Sequence, residues 1–409
     1  MPVKLPLHLR GLIEKIPDMR TRAIDGLLTG IRNPLFEDER TAILLYRGDV
    51  DGVGLIGDMT DWVDVLPFER VPGTDLFFHR GSYEPTARLE YLLQPAGTSA
   101  PTATFVPPGA QTPLGTPAPI ADPLNPFGVY GFVLNSELAM PGYVRDPVFT
   151  PYLTGRKGGH ESLVEWESPA GILPYPHRIH VYLPPGYHAS SEEFPSAYFQ
   201  DGLDYIEYGI TPRLLDALIK GGEIPPLIAV FVTPPNFHQP EIPSRMTEYG
   251  MNDAYIEFFA GELVRETDAR YRTRREPSAR LVVGPSYGGL ISVTIAFHRP
   301  EIFGMAYSQS GYLSFQEDRL IRDIAAAPRP GARFYADCGT YERRVARGIV
   351  PDQEGDFLQA NRRFRDALMS KGADCVYREY PEGHTWGNWR AHLRDALVHF
   401  FGKPSNKRL

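Results

Sequence analysis

A serine lies between two glycines at the point where an apolar strand meets a helix. The stretch "ARLVV" predicts a buried strand, "GPSYGGL" follows it at residues 284–290, and "GGLISVTIAFH" predicts a helix. Gly284, Ser286 and Gly288 fit the pattern G-x-S-x-G, in which a sharp turn exposes the serine hydroxyl at the top of a sheet. The pattern alone is common, so the flanking strand and helix carry the prediction. A packed junction does not need this serine, whereas a nucleophile does.

The chain after about residue 155 alternates strands with helices. "RIHVYLPPGY", "PLIAVFVTP" and "ARFYADCG" are apolar runs, and helical patterns such as "PRLLDALIKGG", "DAYIEFFAGELVRETDARY" and "WRAHLRDALVHFFG" lie between or after them. Such alternation predicts a mostly parallel, doubly wound sheet with helices on both faces. We therefore place an α/β catalytic domain at residues 156–409.

The first 155 residues have a different pattern. The segments "TAILLYRG", "GVGLIGD", "LFFHRGSY" and "ARLEYLLQ" are short and separated by Gly, Asp and Pro, which predicts a small all-β sandwich domain at residues 1–155. An amphipathic helix, interrupted near Pro17, is predicted before them at residues 7–31. Residues 95–126 hold nine prolines and predict an extended loop, because proline fixes φ and lacks a backbone donor.

Composition limits the partners of the chain. A formal net charge of -8 argues against nucleic acid, because no basic excess is present to neutralise phosphates. No apolar run is long enough to span a membrane, and the amino-terminal sequence lacks the apolar core of a secretory signal. Cys338 and Cys375 are too few for a disulfide framework or a four-cysteine zinc site. We predict a cytoplasmic protein with a small-molecule substrate, no cofactor and no resident metal.

A serine nucleophile requires a base, and the base requires an acid that orients it. His384 in "PEGHTWGNWR" follows the last predicted strand and is the candidate base. Asp337 and Glu342 in "FYADCGTYE" both fit the order serine, acid, histidine. Glu342 is preferred because it follows the glycine that ends the strand, in a loop where ligand sites gather.

The oxyanion formed during attack requires hydrogen-bond donors that are already in place. One predicted donor is the backbone N–H of Tyr287, the residue after the nucleophile. The second is predicted in "FQDGLDY", at Gly202 or Leu203, because this loop follows an early strand.

Motifs that occur in order over residues 178–390 resemble one family. They are "VYLPPGY", "FQDGLDY", "SRMTEY", "GPSYGGL", "SQSG", "CGTYE" and "EGHTWGNWR", preceded by "LIGDMTDW" and "DPLNP" in the first domain. The series resembles the enterochelin (ferric enterobactin) esterases within the esterase D-like α/β hydrolases. The resemblance implies an α/β-hydrolase fold preceded by an immunoglobulin-like, early-set sandwich. It also implies serine-dependent hydrolysis of the serine-derived backbone esters of a catecholate siderophore, which can be iron-loaded.

The same resemblance implies roles for individual residues. It places Ser286 at the nucleophile, His384 at the base and Glu342 at the acid. Arg245 and Glu248 match an R-x-x-E segment near the cleft, where they act either as substrate contacts or as a structural ion pair. Trp386 is assigned to the substrate site. Trp386 and Trp389 are also assigned to packing of the loop that holds His384. Three further arginines are candidates for contact with an anionic ligand: Arg343, Arg344 and Arg390.

Other functions share these features. A carbohydrate esterase of acetyl or feruloyl type has the same catalytic half and would use a sugar-binding sandwich. Trp62 in "GDMTDW" suits stacking on a sugar, although a core position is the preferred interpretation. An acyltransferase would form the same acyl-enzyme and exclude water, and a non-catalytic carbohydrate-binding protein would leave the triad unused. The proline-rich insertion and the long segment after Glu342 bear on the substrate more than on the reaction.

Overall fold

The structure is a computed structural model that describes residues 29–96, 118–131, 133–160, 162–168, 170–235, 244–345 and 355–402. These residues form two compact units. The first, which we call the β unit, contains the described residues up to Arg156 together with Pro381–Thr385, and the second, the α/β unit, contains the others. The sequence predicts a single boundary after residue 155, and nothing in it indicates that Pro381–Thr385 group with the β unit.

Two antiparallel sheets make up the β unit. Its described strands are β1 (Leu35–Phe36), β2 (Thr41–Arg47), β3 (Gly52–Gly57), β4 (Leu66–Pro67), β5 (Glu69–Arg70), β6 (Leu76–Ser82), β7 (Arg88–Ala96), β8 (Gly128–Tyr130) and β9 (Leu134–Ala139). One sheet has the order β1-β2-β6-β5 and the other the order β4-β3-β7-β9-β8. Short 3₁₀-helices lie at Asp58–Thr60 and Pro147–Tyr152. The four segments predicted as strands correspond to β2, β3, β6 and β7.

A buried hydrogen-bond network accompanies the apolar core of the β unit. Ile43 of β2 and Phe78 of β6 pack in that core. The Asn33 side-chain amide and the Tyr91 hydroxyl both donate to one carboxylate oxygen of Asp122, each at 2.7 Å. Burial raises the pKa of the Asp122 carboxyl. Asp122 thus links the described end of the proline-rich stretch to β7. Most of that stretch and residues 7–28 of the predicted helix lie outside the described residues, and residues 29–31, at the end of that prediction, are not helical.

An eight-stranded sheet forms the centre of the α/β unit. Its strands are β10 (Leu163–Glu167), β11 (Arg178–Tyr182), β12 (Ser196–Phe199), β13 (Ile228–Thr233), β14 (Arg280–Pro285), β15 (Met305–Gln309), β16 (Arg333–Gly339) and β17 (Cys375–Tyr380). They are arranged in the order β10-β11-β13-β12-β14-β15-β16-β17. The pairs of β10 with β11 and of β11 with β13 are antiparallel, and the remaining pairs are parallel.

The described helices of this unit follow the predicted pattern. They are α1 (Gly202–Glu207), α2 (Thr211–Lys220), α3 (Arg245–Tyr249), α4 (Asp253–Glu257), α5 (Val264–Arg270), α6 (Tyr287–His298), α7 (Phe315–Ala326), α8 (Phe357–Ser370) and α9 (Trp386–Phe401). Short 3₁₀-helices lie at Tyr187–Ala189 and Pro277–Ala279. The long helix predicted from "DAYIEFFAGELVRETDARY" is instead α4 and α5 joined by a π-helical turn at Phe258–Leu263.

The central strands and α6 are buried together. Every residue of β14 is buried, and α6 is apolar on nearly all sides, so that it packs within the core rather than on its surface. The parallel strands direct their carboxyl ends to one edge, where the connecting loops present the motif residues. The predicted fold class is confirmed: an α/β-hydrolase fold preceded by a small all-β sandwich. Among the described residues, no helix is both long and apolar enough to cross a membrane.

Candidate active site

Ser286 occupies a strained turn between β14 and α6. Its backbone has φ 57° and ψ -120°, a region that side-chain-bearing residues rarely adopt and that the surrounding structure must enforce. Gly284 cannot carry a side chain, because a Cβ there would overlap the carbonyl of Gly288. The Ser286 N–H donates to the Gln309 carbonyl at 2.8 Å, and its carbonyl accepts from the Tyr312 N–H at 3.0 Å. The turn is therefore fixed by β15 and the loop that follows it.

The predicted oxyanion donors lie at the starts of two helices. Tyr287 is the first residue of α6, and Gly202 and Leu203 are the first residues of α1. N–H groups in a first helical turn have no partner within the helix, so they are available to an anion. The loop before α1 follows β12, the parallel neighbour of β14. A Cβ on Gly288 would lie 2.9 Å from an Asp201 carboxylate oxygen, so the two loops are adjacent.

A bidentate ion pair joins the loop before α1 to the turn at Ser286. Arg245 donates through Nε and Nη2 to the two oxygens of Asp201 at 2.5 and 2.7 Å, and through Nη2 to the Pro285 carbonyl at 3.3 Å. Burial lowers the pKa of Arg245, but the charge of Asp201 outweighs burial and the net pKa is raised. Glu248, predicted beside Arg245, instead contacts His177 Nε2 at 2.9 Å. Arg245 and Glu248 therefore contact different partners.

Glu342 is a fully buried carboxylate in the loop after β16. Its Oε1 accepts from the Gly339 N–H at 2.7 Å and from the Ser310 hydroxyl at 2.6 Å. The Asn388 side-chain amide lies 3.5 Å from the same oxygen, and Trp389 Nε1 donates to Ser310 Oγ at 3.0 Å. Ser310 in "SQSG" and Asn388 in "EGHTWGNWR" both contact this carboxylate, and the sequence alone did not predict either contact. Neither residue stands in a pattern that marks such a role.

Asp337, the alternative acid, lies within β16 and not in the loop after it. It is buried, and its carboxylate accepts a hydrogen bond from the hydroxyl of Tyr307 on the neighbouring strand β15. Gln309 Nε2 donates to the same hydroxyl at 3.0 Å. Burial, followed by the charge of Asp337, raises the pKa of Tyr307 well above its usual range. Asp337 therefore participates in the polar bonding of the sheet interior.

His384 lies in the segment Pro381–Thr385, which directly follows β17 and groups with the β unit. It is half-buried. Trp386, the next residue but one, begins α9 and is buried edge-on against the Tyr205 ring of α1, with centroids 5.1 Å apart. Packing is therefore the observed environment of Trp386.

The other candidate arginines and Trp62 have mixed environments. Arg390 is buried, Arg344 is half-buried and Arg343 is exposed. Arg343 Nε donates to the Thr340 carbonyl at 3.2 Å. Trp62 in the β unit is half-buried, and its Nε1 donates to Asp58 at 2.8 Å. Arg343 is thus the most accessible of the three arginines.

The sheet order and the turn at Ser286 define the class of protein as an α/β hydrolase. Residues 171–400 match the Esterase family, described as "Putative esterase". The chain belongs to this family and is a hydrolase that acts on esters. Within it, the chain is enterochelin esterase-like, as the motifs indicated.

Named relatives match different shares of the chain. The chain is 24% identical to the iron(III) enterobactin esterase of Dickeya dadantii (strain 3937) over 391 residues, which are 90% of this chain and 85% of that protein. It is 26% identical over 238 residues to the uncharacterized protein YbbA of Bacillus subtilis (strain 168), covering 55% of this chain and 93% of the relative. The first similarity extends through both units.

Solved structures show the same fold. Ferric enterobactin esterase from Salmonella typhimurium has a TM-score of 0.71 at 19% identity, covering 88% of this chain and 93% of that chain. A ferulic acid esterase has a TM-score of 0.50 at 20% identity, covering 59% of this chain and 98% of that chain. At these identities the structural likeness establishes the architecture and leaves the substrate open.

Proposed function

We propose that the chain hydrolyses carboxylic esters through an acyl-enzyme on Ser286, with His384 as base and Glu342 as acid. The strained backbone of Ser286 is the observation that carries this proposal, because a turn of this kind directs a hydroxyl out of the helix start. The buried Glu342 supports it, since an acid must be held in one orientation to orient a histidine.

The proposed reaction has two steps. In the first, the Ser286 hydroxyl gives its proton to the His384 imidazole as its oxygen bonds to the ester carbon, and the developing oxyanion accepts from Tyr287 N–H and from Gly202 or Leu203 N–H. The C–O bond to the alcohol breaks, and the alcohol leaves with the proton from His384. In the second step water attacks the acyl-enzyme by the same route, and the carboxylic acid is released.

We further propose a siderophore of the enterobactin type, with its tri-serine lactone, as the substrate. The enterobactin esterase of Dickeya dadantii aligns over 90% of this chain, so the similarity includes the β unit as well as the hydrolase fold. A ferric catecholate is anionic, and Arg343 is exposed beside the acid loop. The roles of Arg245, Glu248 and Trp386 at the substrate stay predictions.

A feruloyl ester is the second candidate substrate. The ferulic acid esterase shares its fold over 98% of its own length with 59% of this chain. The matched share of this chain is therefore about the size of the predicted α/β domain alone. This candidate predicts a substrate preference that depends on the α/β unit and not on the β unit.

Two measurements test the proposal. The purified chain and Ser286→Ala are compared on p-nitrophenyl butyrate, with Ser292→Ala as the control because Ser292 is a buried serine on the same helix. We expect Ser286→Ala to lose activity and Ser292→Ala to keep it. Equal rates for the native chain and Ser286→Ala would refute the serine mechanism. The kcat/KM values for a tri-serine lactone, with and without iron, a feruloyl ester and an acetylated sugar then identify the substrate class.

A further inference from the structure

Arg88 and Asp58, both early in the chain, contact the segment that carries His384. Arg88, the first residue of β7, donates its backbone N–H to the Pro381 carbonyl at 3.2 Å. Its Nη1 lies 3.5 Å from Oε2 of Glu382, which is buried. All of these residues belong to the β unit. The backbone on one side of His384 is therefore held through β7.

The Arg88 guanidinium has a fixed orientation. It is 1% exposed, and it pairs with Glu90 and Glu137 at 2.8 Å each. Burial lowers the pKa of Arg88, but the charges of Glu137, Glu90 and Glu382 outweigh burial and the net pKa is raised. A buried charge is tolerated only where its hydrogen-bond donors are paired. The ion pairs with Glu90 and Glu137 therefore hold the Arg88 guanidinium in place, facing Glu382. Arg145 contacts Glu137 on the far side of this cluster.

Gly383, directly before His384, packs against a second fixed group. A Cβ at this position would overlap the carboxyl group of Asp58. Asp58 is itself held at both oxygens, by Trp62 Nε1 at 2.8 Å and by the Glu90 N–H at 2.7 Å. Burial and then the charge of Glu90 raise the pKa of the Asp58 carboxyl. The fixed Asp58 carboxyl therefore leaves room only for glycine at position 383.

We infer that Arg88, Glu382 and Asp58 position the His384 imidazole by holding the backbone of Pro381–Thr385. This inference rests on the proposed function, in which His384 is the general base. Arg88 and Asp58 lie outside the segment matched by the Esterase family, residues 171–400. They are positioning residues, because they act on the reaction through the histidine and not through the substrate.

Two single substitutions test the inference. Gly383→Ala introduces a methyl group where Asp58 stands, and Glu382→Gln keeps the shape of the side chain while removing its charge. Their controls are Gly52→Ala, where a Cβ would meet nothing within 4 Å, and Arg145→Gln, which removes a positive charge that pairs with Glu137 of the same cluster. Each variant is measured for kcat and KM on p-nitrophenyl butyrate and for amide hydrogen exchange across Pro381–Thr385.

We expect kcat to fall about 100-fold for Gly383→Ala and about 10-fold for Glu382→Gln, with KM within about 3-fold, because small misplacements of a catalytic group cost rate. Exchange in Pro381–Thr385 should rise in both variants and not in the controls. Unchanged kcat and unchanged exchange in both variants would overturn the inference, and so would equal losses in the controls. If the native chain hydrolyses no ester, the proposed function fails, and exchange alone decides whether the β unit holds the segment.

Discussion

The loops that carry Ser286 and Glu342 differ from the segment that carries His384 in how they are held. The turn at Ser286 is fixed by bonds to β15 and the loop after it, and the Glu342 carboxylate accepts from the Gly339 N–H three residues before it. The histidine segment instead contacts Arg88, which stands 294 residues before Glu382 in the chain. Bonds within the α/β unit hold the first two loops, and a charge cluster of the β unit holds the third.

The difference teaches where substitutions should have local or distant effects. A loop that is held by its own sheet fails when its own residues change. A segment that is held by a cluster remote in sequence should fail when the residues of that cluster change. The contrast can be tested first at the loop that carries Glu342 and the loop before α1, and then at a half-buried ionisable group in each unit.

The largest effect is expected at the acid. Glu342→Gln should lower kcat by about 10,000-fold, as replacement of the acid by its amide does in a serine protease, because an amide favours the wrong histidine tautomer. Asp337→Asn should keep most of the activity, since Asp337 bonds to Tyr307 inside the sheet. Steady-state kinetics on p-nitrophenyl butyrate measure both variants.

The pair Glu342→Gln and Asp337→Asn also contains its own control. Both replacements remove a buried carboxylate from the same short stretch, so a general loss of folding would lower both activities together. Circular dichroism and thermal unfolding distinguish that case. Loss of activity confined to Asp337→Asn would make Asp337 the acid and would remove Glu342 from the triad.

The elements were predictable because their patterns are strong. Near-continuous apolar runs predicted the buried strands of the α/β unit, and the glycines around Ser286 predicted a turn that sterics require. The helix predicted at "DAYIEFFAGELVRETDARY" was correct in place but missed the π-helical turn at Phe258–Leu263. Apolar periodicity over a few turns cannot reveal one extra residue per turn.

The partners of the site residues were not predictable from the same patterns. Ser310 donates to Glu342 from a positive-φ position after β15, and no propensity in "SQSG" indicates that bond. Arg245 was predicted beside the cleft, but its partner Asp201 lies 44 residues away. In the sequence, Arg88 is one charged residue within a predicted strand. Its proximity to Glu382 arises only from the fold. Burial of paired charges is a tertiary property that a local pattern does not carry.

The next effect is expected at Arg245. Arg245→Lys should lower kcat about 10-fold to 100-fold on neutral and anionic esters alike, because one ammonium cannot reproduce a bidentate pair with Asp201 and a bond to Pro285. Parallel kinetics on p-nitrophenyl butyrate and an anionic ester measure it. Arg275→Lys, at an exposed arginine of the same unit that is not a substrate candidate, serves as the control. A rise in KM for the anionic ester alone would instead favour the substrate contact predicted from sequence.

A smaller effect is expected at Asp204, in the first turn of α1. Burial and then the charge of Asp201 raise the pKa of the Asp204 carboxyl to about 7. Because the folded pKa exceeds the unfolded one, the stability that this group contributes is present at low pH and is lost as pH rises through 7. Asp204→Asn should therefore remove about 2 kcal/mol of the fall in unfolding free energy between pH 5 and 8.

Urea unfolding at the two pH values measures the Asp204→Asn effect. Glu193→Gln is the matched control, because Glu193 is an exposed carboxylate in the same unit. The control should unfold with the pH dependence of the native chain. If Asp204→Asn and the native chain keep the same pH dependence, the pKa of Asp204 is not raised in the folded chain.

The smallest effect is expected at His79 of β6, where the sign is opposite. Burial lowers the pKa of His79 to about 4, and its ring stacks on Phe68 with centroids 5.7 Å apart. Since the folded pKa is below the unfolded one, the stability is present above about pH 6.5 and is lost as pH falls through 4. His79→Phe keeps an aromatic ring and removes the charge, so it should reduce the loss of unfolding free energy between pH 7 and 5.5 by about 1 kcal/mol. Urea unfolding at both pH values checks this, with His188→Gln as an exposed-histidine control. Identical acid sensitivity in the native chain and His79→Phe would show that the pKa of His79 is not lowered in the folded chain.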